Sequence, residues 1–325
     1  MEEQLYDEFL RILYNSYILH FYIIIIYMNK KKVIIWANCQ SCIAKYIFDK
    51  YLNDYFDTEV YINYEFMRNK SDLPDDFKYC DIFLFQNYKK KENDDAKYDL
   101  DFIKNNILKK DCITLCFPTL HSNLLYFCYD TENIKERKKN CDIIEKEHPD
   151  SKKNIYFSIS IIQDLYEKHK NTKKYISNDE FENIIIQDFL DYNINEDDIL
   201  KYNKKSFDFL KLKILNSDIP ELYDFIIDNW KTQKLWYNPN HPTGVLYMKM
   251  AELIFKKLNI NIILTNDDFN TYNSIHRDYE MPILPSVKKY YNLNFKDICH
   301  IRGLSQDNYV YDTKTYIKQY LKCFN

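Results

Sequence analysis

Apolar positions follow two patterns along the chain. In the first third they form short continuous runs separated by helix-period stretches; later they recur mainly every three to four residues. Lys32 to Trp36 reads as a first strand, and Ser41 to Tyr55 as a helix with Ile43, Ala44, Ile47, Tyr51 and Leu52 on one face. "TEVYINY" (Thr58 to Tyr64) reads as a second strand. "CDIFLFQNY" (Cys80 to Tyr88) reads as a third, apolar throughout and so buried on both faces. A helix around Leu100 to Leu108 precedes a fourth strand, "CITLCF" (Cys112 to Phe117), which Pro118 stops. Strand, helix, strand at this spacing predicts a parallel sheet with right-handed crossovers.

Helices are expected over Asp179 to Leu190, Glu196 to Leu215, and Ile219 to Trp230 with Pro220 in its first turn. "KLWY" (Lys234 to Tyr237) leads into "NPNHPTG", and Val245 to Leu258 is amphipathic. "MPILPSV" (Met281 to Val287) reads as a proline-marked loop and Tyr311 to Leu321 as a final helix. With no internal repeat and no Ser/Gly-rich linker, one α/β domain with a helical insertion is expected over residues 29–325. An apolar extension precedes it at residues 1–28. Its core, "YILHFYIIIIYM" (Tyr17 to Met28), is short for a membrane span, and extending it to Leu10 brings in Arg11, Asn15, Ser16 and His20. The acidic start "MEEQLYDEF", with no small-residue cleavage site after it, is unlike a signal peptide. The extension reads as an appended helix or as a start set upstream of Met28; membrane association through residues 10–28 is the less favoured alternative.

Composition narrows the function classes. Of 325 residues, 46% are hydrophobic and 29% charged, which fits a globular chain. The 31 Tyr, 21 Phe and only 2 Gly, with abundant Ile, Lys and Asn, reflect AT-rich codon usage. Gly244 and Gly303 stand far apart, which excludes P-loop and Gly-x-Gly-x-x-Gly phosphate cradles. Net charge is −4, and runs such as "YKKKENDD" (Tyr88 to Asp95) and "KKNCDIIEKEHPDSKKN" (Lys138 to Asn154) mix both signs, so nucleic-acid binding is not expected. Nine cysteines in no regular framework point to a reducing, cytoplasmic setting, with membrane-peripheral attachment as the alternative.

Candidate chemistry gathers where α/β sheets bind ligands, beyond the carboxyl ends of strands. Asn38-Cys39-Gln40 follows the first strand, Gln86-Asn87 the third, and Thr119, His121, Ser122 and Asn123 the fourth. A cysteine between a strand and a helix N-terminus is expected to sit near unsatisfied N–H groups that favour its thiolate and hold an oxyanion. Among the histidines, His241 in "YNPNHPTG" is the most constrained, with prolines on both sides and with Asn238 and Asn240 able to fix its tautomer. His20, His148, His169, His276 and His300 read as surface or core residues. Cys39-x-x-Cys42 also admits a thioredoxin-like reading, though its length and loop argue against it, and no second Cys-x-x-Cys supports zinc.

"ANCQS", "DIFLFQ", "FPTL" and "KLWYNPNHPTGVLYMKMAELIF" followed by "PILPSV" resemble, in this order, the WcbI family of polysaccharide biosynthesis proteins over about Asn29 to Leu293. The resemblance implies an SGNH- or flavodoxin-like three-layer α/β core and acetyl-CoA-dependent O-acetylation of a sugar or polysaccharide acceptor, with coenzyme A as co-substrate and no metal. It implies Cys39 as nucleophile and His241 as base, with Asn238 where SGNH enzymes place an aspartate. Asn38, Gln40, Gln86 and Asn240 are then oxyanion- or substrate-binding groups, and Lys30 to Lys32 either meet phosphates or form a solvated strand start. Ala37 stands in place of the family's glycine. The alternatives are an SGNH-like esterase on acetylated glycans and a non-catalytic glycan-binding protein.

Overall fold

The computed structural model describes residues 30–88, 95–126, 160–275, 279–296, 299–301 and 312–321. The expected extension at residues 1–28, the loop over 138–154, most of the 88–95 run, and His20, His148 and His276 lie outside the described residues. Among the described residues no helix is long and apolar enough to cross a membrane. The chain forms two compact units. The first runs to Thr119 and takes in Ser217–Ile219 and Ile254–Ile262; the second takes Leu120–Asn216, Pro220–Leu253 and Ile263–Asn325.

The first unit is α/β, with a four-stranded sheet in the order β2-β1-β3-β4 between flanking helices. All neighbours are parallel: β1 (Lys31–Ala37), β2 (Phe56–Ile62), β3 (Ile82–Phe85) and β4 (Ile113–Cys116). Val33 to Ala37 and Ile82 to Phe85 are buried without interruption, because helices cover both faces of a parallel sheet. On one face Trp36 packs against Phe66, Phe77 and Tyr98 at ring separations of 5.4, 5.8 and 6.4 Å. Alternation turns Val33 and Ile35 to the other face. Helix α1 (Cys42–Tyr51) buries Ile43, Ala44, Ile47 and Phe48, and Phe48 packs on Phe255 at 5.0 Å.

Both sheet edges are managed. On β2, Asp57 and Glu59 face outward, and Lys32 reaches Asp57 at 2.9 Å and Asp76 at 3.4 Å. Lys32 is therefore ion-paired at the strand's entry, roughly 20 Å along β1 from the Cys39 turn. On β4, Asp218 donates its N–H to the Cys116 carbonyl at 2.9 Å, and its carboxylate accepts the Cys116 N–H at 2.6 Å.

In the second unit, α4 (Asn178–Leu190) and α5 (Glu196–Leu215) lie as expected, and α3 (Ser160–His169) precedes them. They are followed by α6 (Glu221–Asn229), α7 (Gly244–Lys257), α8 (Asn266–Ser274), α9 (Pro285–Tyr291) and α10 (Thr313–Leu321). Between α6 and α7, β5 (Trp236–Asn238) pairs with β6 (His241–Pro242) as a tight hairpin.

Some boundaries differ from those expected. Helix α1 ends at Tyr51 rather than Tyr55, because Leu52 to Tyr55 reverse the chain through a Tyr55 N–H to Leu52 carbonyl bond of 2.9 Å. Strand β2 stops at Ile62, and Asn63 and Tyr64 open α2 (Asn63–Asn69). "MPILPSV" is not wholly a loop: Pro285 starts α9, where a missing N–H costs nothing.

Gly244 opens α7 against the backbone of α8. A Cβ there would lie 2.8 Å from the Asn273 nitrogen and 2.9 Å from its Cα. Gly244→Ala is expected to lower stability by about 1–3 kcal/mol as α8 is pushed aside. Thermal unfolding checks this, and an unchanged Tm would refute the close approach.

Candidate active site residues

At the carboxyl end of β1 the chain does not enter α1 directly. Cys39–Ser41 form a single 3-10 turn, and Asn38 is its cap. The Asn38 Oδ1 accepts the Gln40 N–H at 2.8 Å, and the Asn38 carbonyl accepts the Ser41 N–H at 2.9 Å. The Asn38 N–H in turn donates to Gln86 Oε1 at 3.0 Å. Gln86, 1% exposed at the end of β3, donates through Nε2 to Gln40 Oε1 at 3.3 Å and to the Pro118 carbonyl at 3.2 Å. One buried amide thus ties together the ends of β1, β3 and the chain leaving β4. Ala37 needs no glycine: the positive-φ residues among those described are Lys70, Asn259 and Asn292, and Asn38 itself has φ −77°.

This geometry bears on two expectations. Gln86 and the N–H groups of Gln40 and Ser41 already have partners within the turn and brace it. Nor does the site favour the thiolate: burial pushes the Cys39 thiol above its ordinary value, opposed only in part by its own backbone N–H. Cys42 is pushed further, to about 12, by burial and then by Cys39, and its Sγ donates to the Cys39 carbonyl at 3.3 Å. A thiol held that high and turned to a carbonyl has the character of a packing residue, not of a redox partner.

Two residues at the neighbouring strand end escaped the sequence reading. Asn63 and Tyr64 follow β2, whose last residue, Ile62, pairs with Ala37. The Tyr64 phenol is raised by burial and then by the charge of Cys39, so the two lie within electrostatic reach. The alternating pattern runs through both, so the sequence carried no signal that set them apart.

In the second unit, Asn238 is fully buried and closes an Asx turn: its Oδ1 accepts the N–H groups of Asn240 at 3.0 Å and His241 at 3.2 Å. Those two backbone donors fix the amide orientation, so Nδ2 is the atom 3.4 Å from His241 Nδ1. Here Asn238 departs from the aspartate it was expected to replace: a carboxylate accepts from Nδ1–H, whereas this amide donates to Nδ1. Thr243 anchors the hairpin through an Oγ1 bond to the Lys234 carbonyl at 2.9 Å, and Lys234 pairs with buried Glu280 at 3.1 Å.

The segment Leu120–Tyr126 packs on the same hairpin. The Ser122 N–H donates to the Pro239 carbonyl at 2.8 Å, Tyr126 Oη to the Trp236 carbonyl at 2.6 Å, and Trp236 Nε1 to the Leu120 carbonyl at 3.2 Å. His121 places Nδ1 3.4 Å from the Pro239 carbonyl, and burial, with a smaller push from Lys213, lowers its pKa to about 4. His121 is therefore neutral at physiological pH. His169 pairs with Asp188 at 2.8 Å, in keeping with a structural role.

No protein-family model and no curated protein sequence matches the chain. One solved structure is similar. It is that of WcbI, described as a polysaccharide biosynthesis enzyme, at 15% identity over 91% of this chain and 90% of that chain, with a TM-score of 0.48. Its description specifies a native form without a disulfide bond between coenzyme A and one of that protein's cysteines.

Two outcomes are expected. Alkylation of Cys39 by iodoacetamide at pH 7.5 is slower than that of free cysteine and keeps rising above pH 9, because raising a thiol's pKa removes thiolate at neutral pH; a rate plateau below pH 8 would contradict the burial argument. In ¹⁵N NMR of ring-labelled protein, His241 carries its neutral-state proton on Nε2, and Asn238→Asp moves it to Nδ1.

Proposed function

We propose that the chain is an acyltransferase that moves an acetyl group from acetyl-coenzyme A to a hydroxyl of a sugar or glycan precursor. The observation that carries this reading is the turn at the carboxyl end of β1: a cysteine on a 3-10 turn held by Asn38 and Gln86 in a parallel α/β sheet. Rigid placement of a nucleophile on a braced turn is what covalent acyl chemistry requires. The motif order that resembles the WcbI family, with Asn240-His241-Pro242-Thr243 far downstream, supports the same reading.

In this proposal the Cys39 sulfur attacks the thioester carbonyl, and its proton passes to the departing coenzyme A thiolate. The acceptor hydroxyl then attacks the Cys39 thioester and loses its proton as the sulfur leaves. His241 handles these protons. A donor Asn238 leaves the wrong nitrogen with the lone pair for a base, so turnover is slow until the ring changes tautomer. In serine proteases the corresponding loss of the carboxylate costs about 10⁴-fold. An esterase reading differs only in the acceptor, water in place of sugar.

Calorimetry with coenzyme A and acetyl-coenzyme A tests the donor, and absence of binding to the wild type would overturn the transferase. Cys39→Ala and His241→Ala are expected to lower acetyl transfer at least 100-fold while coenzyme A still binds. Asn238→Asp, which keeps the two backbone hydrogen bonds, is expected to raise kcat/KM roughly 10-fold or more. A Cys39-dependent hydrolysis of acetyl esters indifferent to coenzyme A would favour the esterase.

A further inference from the structure

The Cys39 turn leaves a gap in its own chemistry. A tetrahedral intermediate on Cys39 develops a negative oxygen that needs a donor, yet the Gln86 amide and the Gln40 and Ser41 N–H groups are engaged within the turn. Asn63 stands at the neighbouring strand end. It is 5% exposed, so its side chain is held in place by packing, and yet its amide makes no hydrogen bond among the described residues. Nor is that amide sealed off: unlike Trp36 Nε1 and both polar atoms of the Asn203 side chain, it is not among the enclosed atoms without a partner. A buried amide without a protein partner is disfavoured unless water or a ligand completes it. It follows Ile62, the partner of Ala37, and so stands at the end of the strand beside the one that leads to Cys39; the next residue, Tyr64, lies within reach of the Cys39 charge.

We infer that Asn63 is the oxyanion donor of this site, its side-chain N–H meeting the carbonyl oxygen of an acyl group as Cys39 is acylated. This deepens the acyltransfer reading and rests on it for the identity of the reacting group. The step itself can be examined without coenzyme A or sugar. With p-nitrophenyl acetate, the Cys39 thiolate adds to the ester carbonyl and the π electrons move to oxygen. Collapse re-forms the carbonyl and expels p-nitrophenolate, while the thiol proton is released to solvent. Alkylation of the same sulfur by iodoacetamide is a displacement at carbon that passes through no oxyanion.

The experiment compares wild type, Asn63→Ala and Asn63→Leu in both reactions, following Cys39 by mass as the acetyl or carbamidomethyl adduct. The expected result is a 10²–10³-fold slower acetylation in both variants, the loss typical of removing one oxyanion donor, with alkylation within 2-fold of wild type. Their Tm is expected to be unchanged or higher, since no partner among the described residues is lost. Equal slowing of both reactions, or a Tm lowered by more than about 5 °C, would make Asn63 structural and overturn the inference. Unaltered acetylation would also overturn it. If acetylation depends on Asn63 while coenzyme A fails to bind, the donor assignment falls and the oxyanion role stands.

Discussion

A single carboxamide organises the carboxyl end of the sheet. The Gln86 side chain ends a strand that is buried on both faces, where an unpaired amide would cost on the order of 1–3 kcal/mol. It must find partners, and the partners within reach are the backbone ends of the adjacent strands. Satisfying Gln86 therefore fixes where the chain leaves β1 and where it turns after β4. The Cys39 position follows from that requirement: the sulfur sits on a turn where the Gln86 amide, the Asn38 N–H and Oδ1, and the Gln40 and Ser41 N–H groups are already engaged. What makes the turn rigid also removes its ready-made donors and buries its thiol. Stability and reactivity compete there for the same hydrogen bonds.

The hairpin of the second unit obeys the same logic with a second carboxamide. Asn238 is buried, accepts two backbone N–H groups and thereby turns its own N–H toward the imidazole. An aspartate could make the first two contacts as well, but would reverse the polarity of the third. Replacing one oxygen by nitrogen keeps the loop's shape while changing which ring nitrogen holds the proton.

Much of this architecture was legible in the residues. The apolar runs of β1 and β3 announced strands buried on both faces, and Pro220 and the α5 pattern marked helices that form close to where expected. The residues at Cys39 and His241 stood out because turn chemistry surrounds them. What stayed hidden was direction. Periodicity shows that Gln86 ends a strand, but not that its amide faces inward to the neighbouring turns. It ran β2 on to Tyr64 because Tyr and Asn there continue an alternating pattern, although Asn63 already belongs to a helix. Capping boxes of Ser177 with Glu180 and Thr265 with Asp268 start α4 and α8; α4 was expected from its apolar period, and α8 was missed. The burial of Asn63 without a partner among the described residues was hidden as well.

The contrast between Gly244 and Ala37 reaches beyond packing. Glycine codons are rich in G and C, and this chain has almost emptied itself of the residue. At Ala37 the backbone carries a methyl group at an ordinary φ; at Gly244 a methyl group would strike the Asn273 backbone. In such a genome a surviving glycine is a steric measurement, and it can be read from the letters before any coordinates exist.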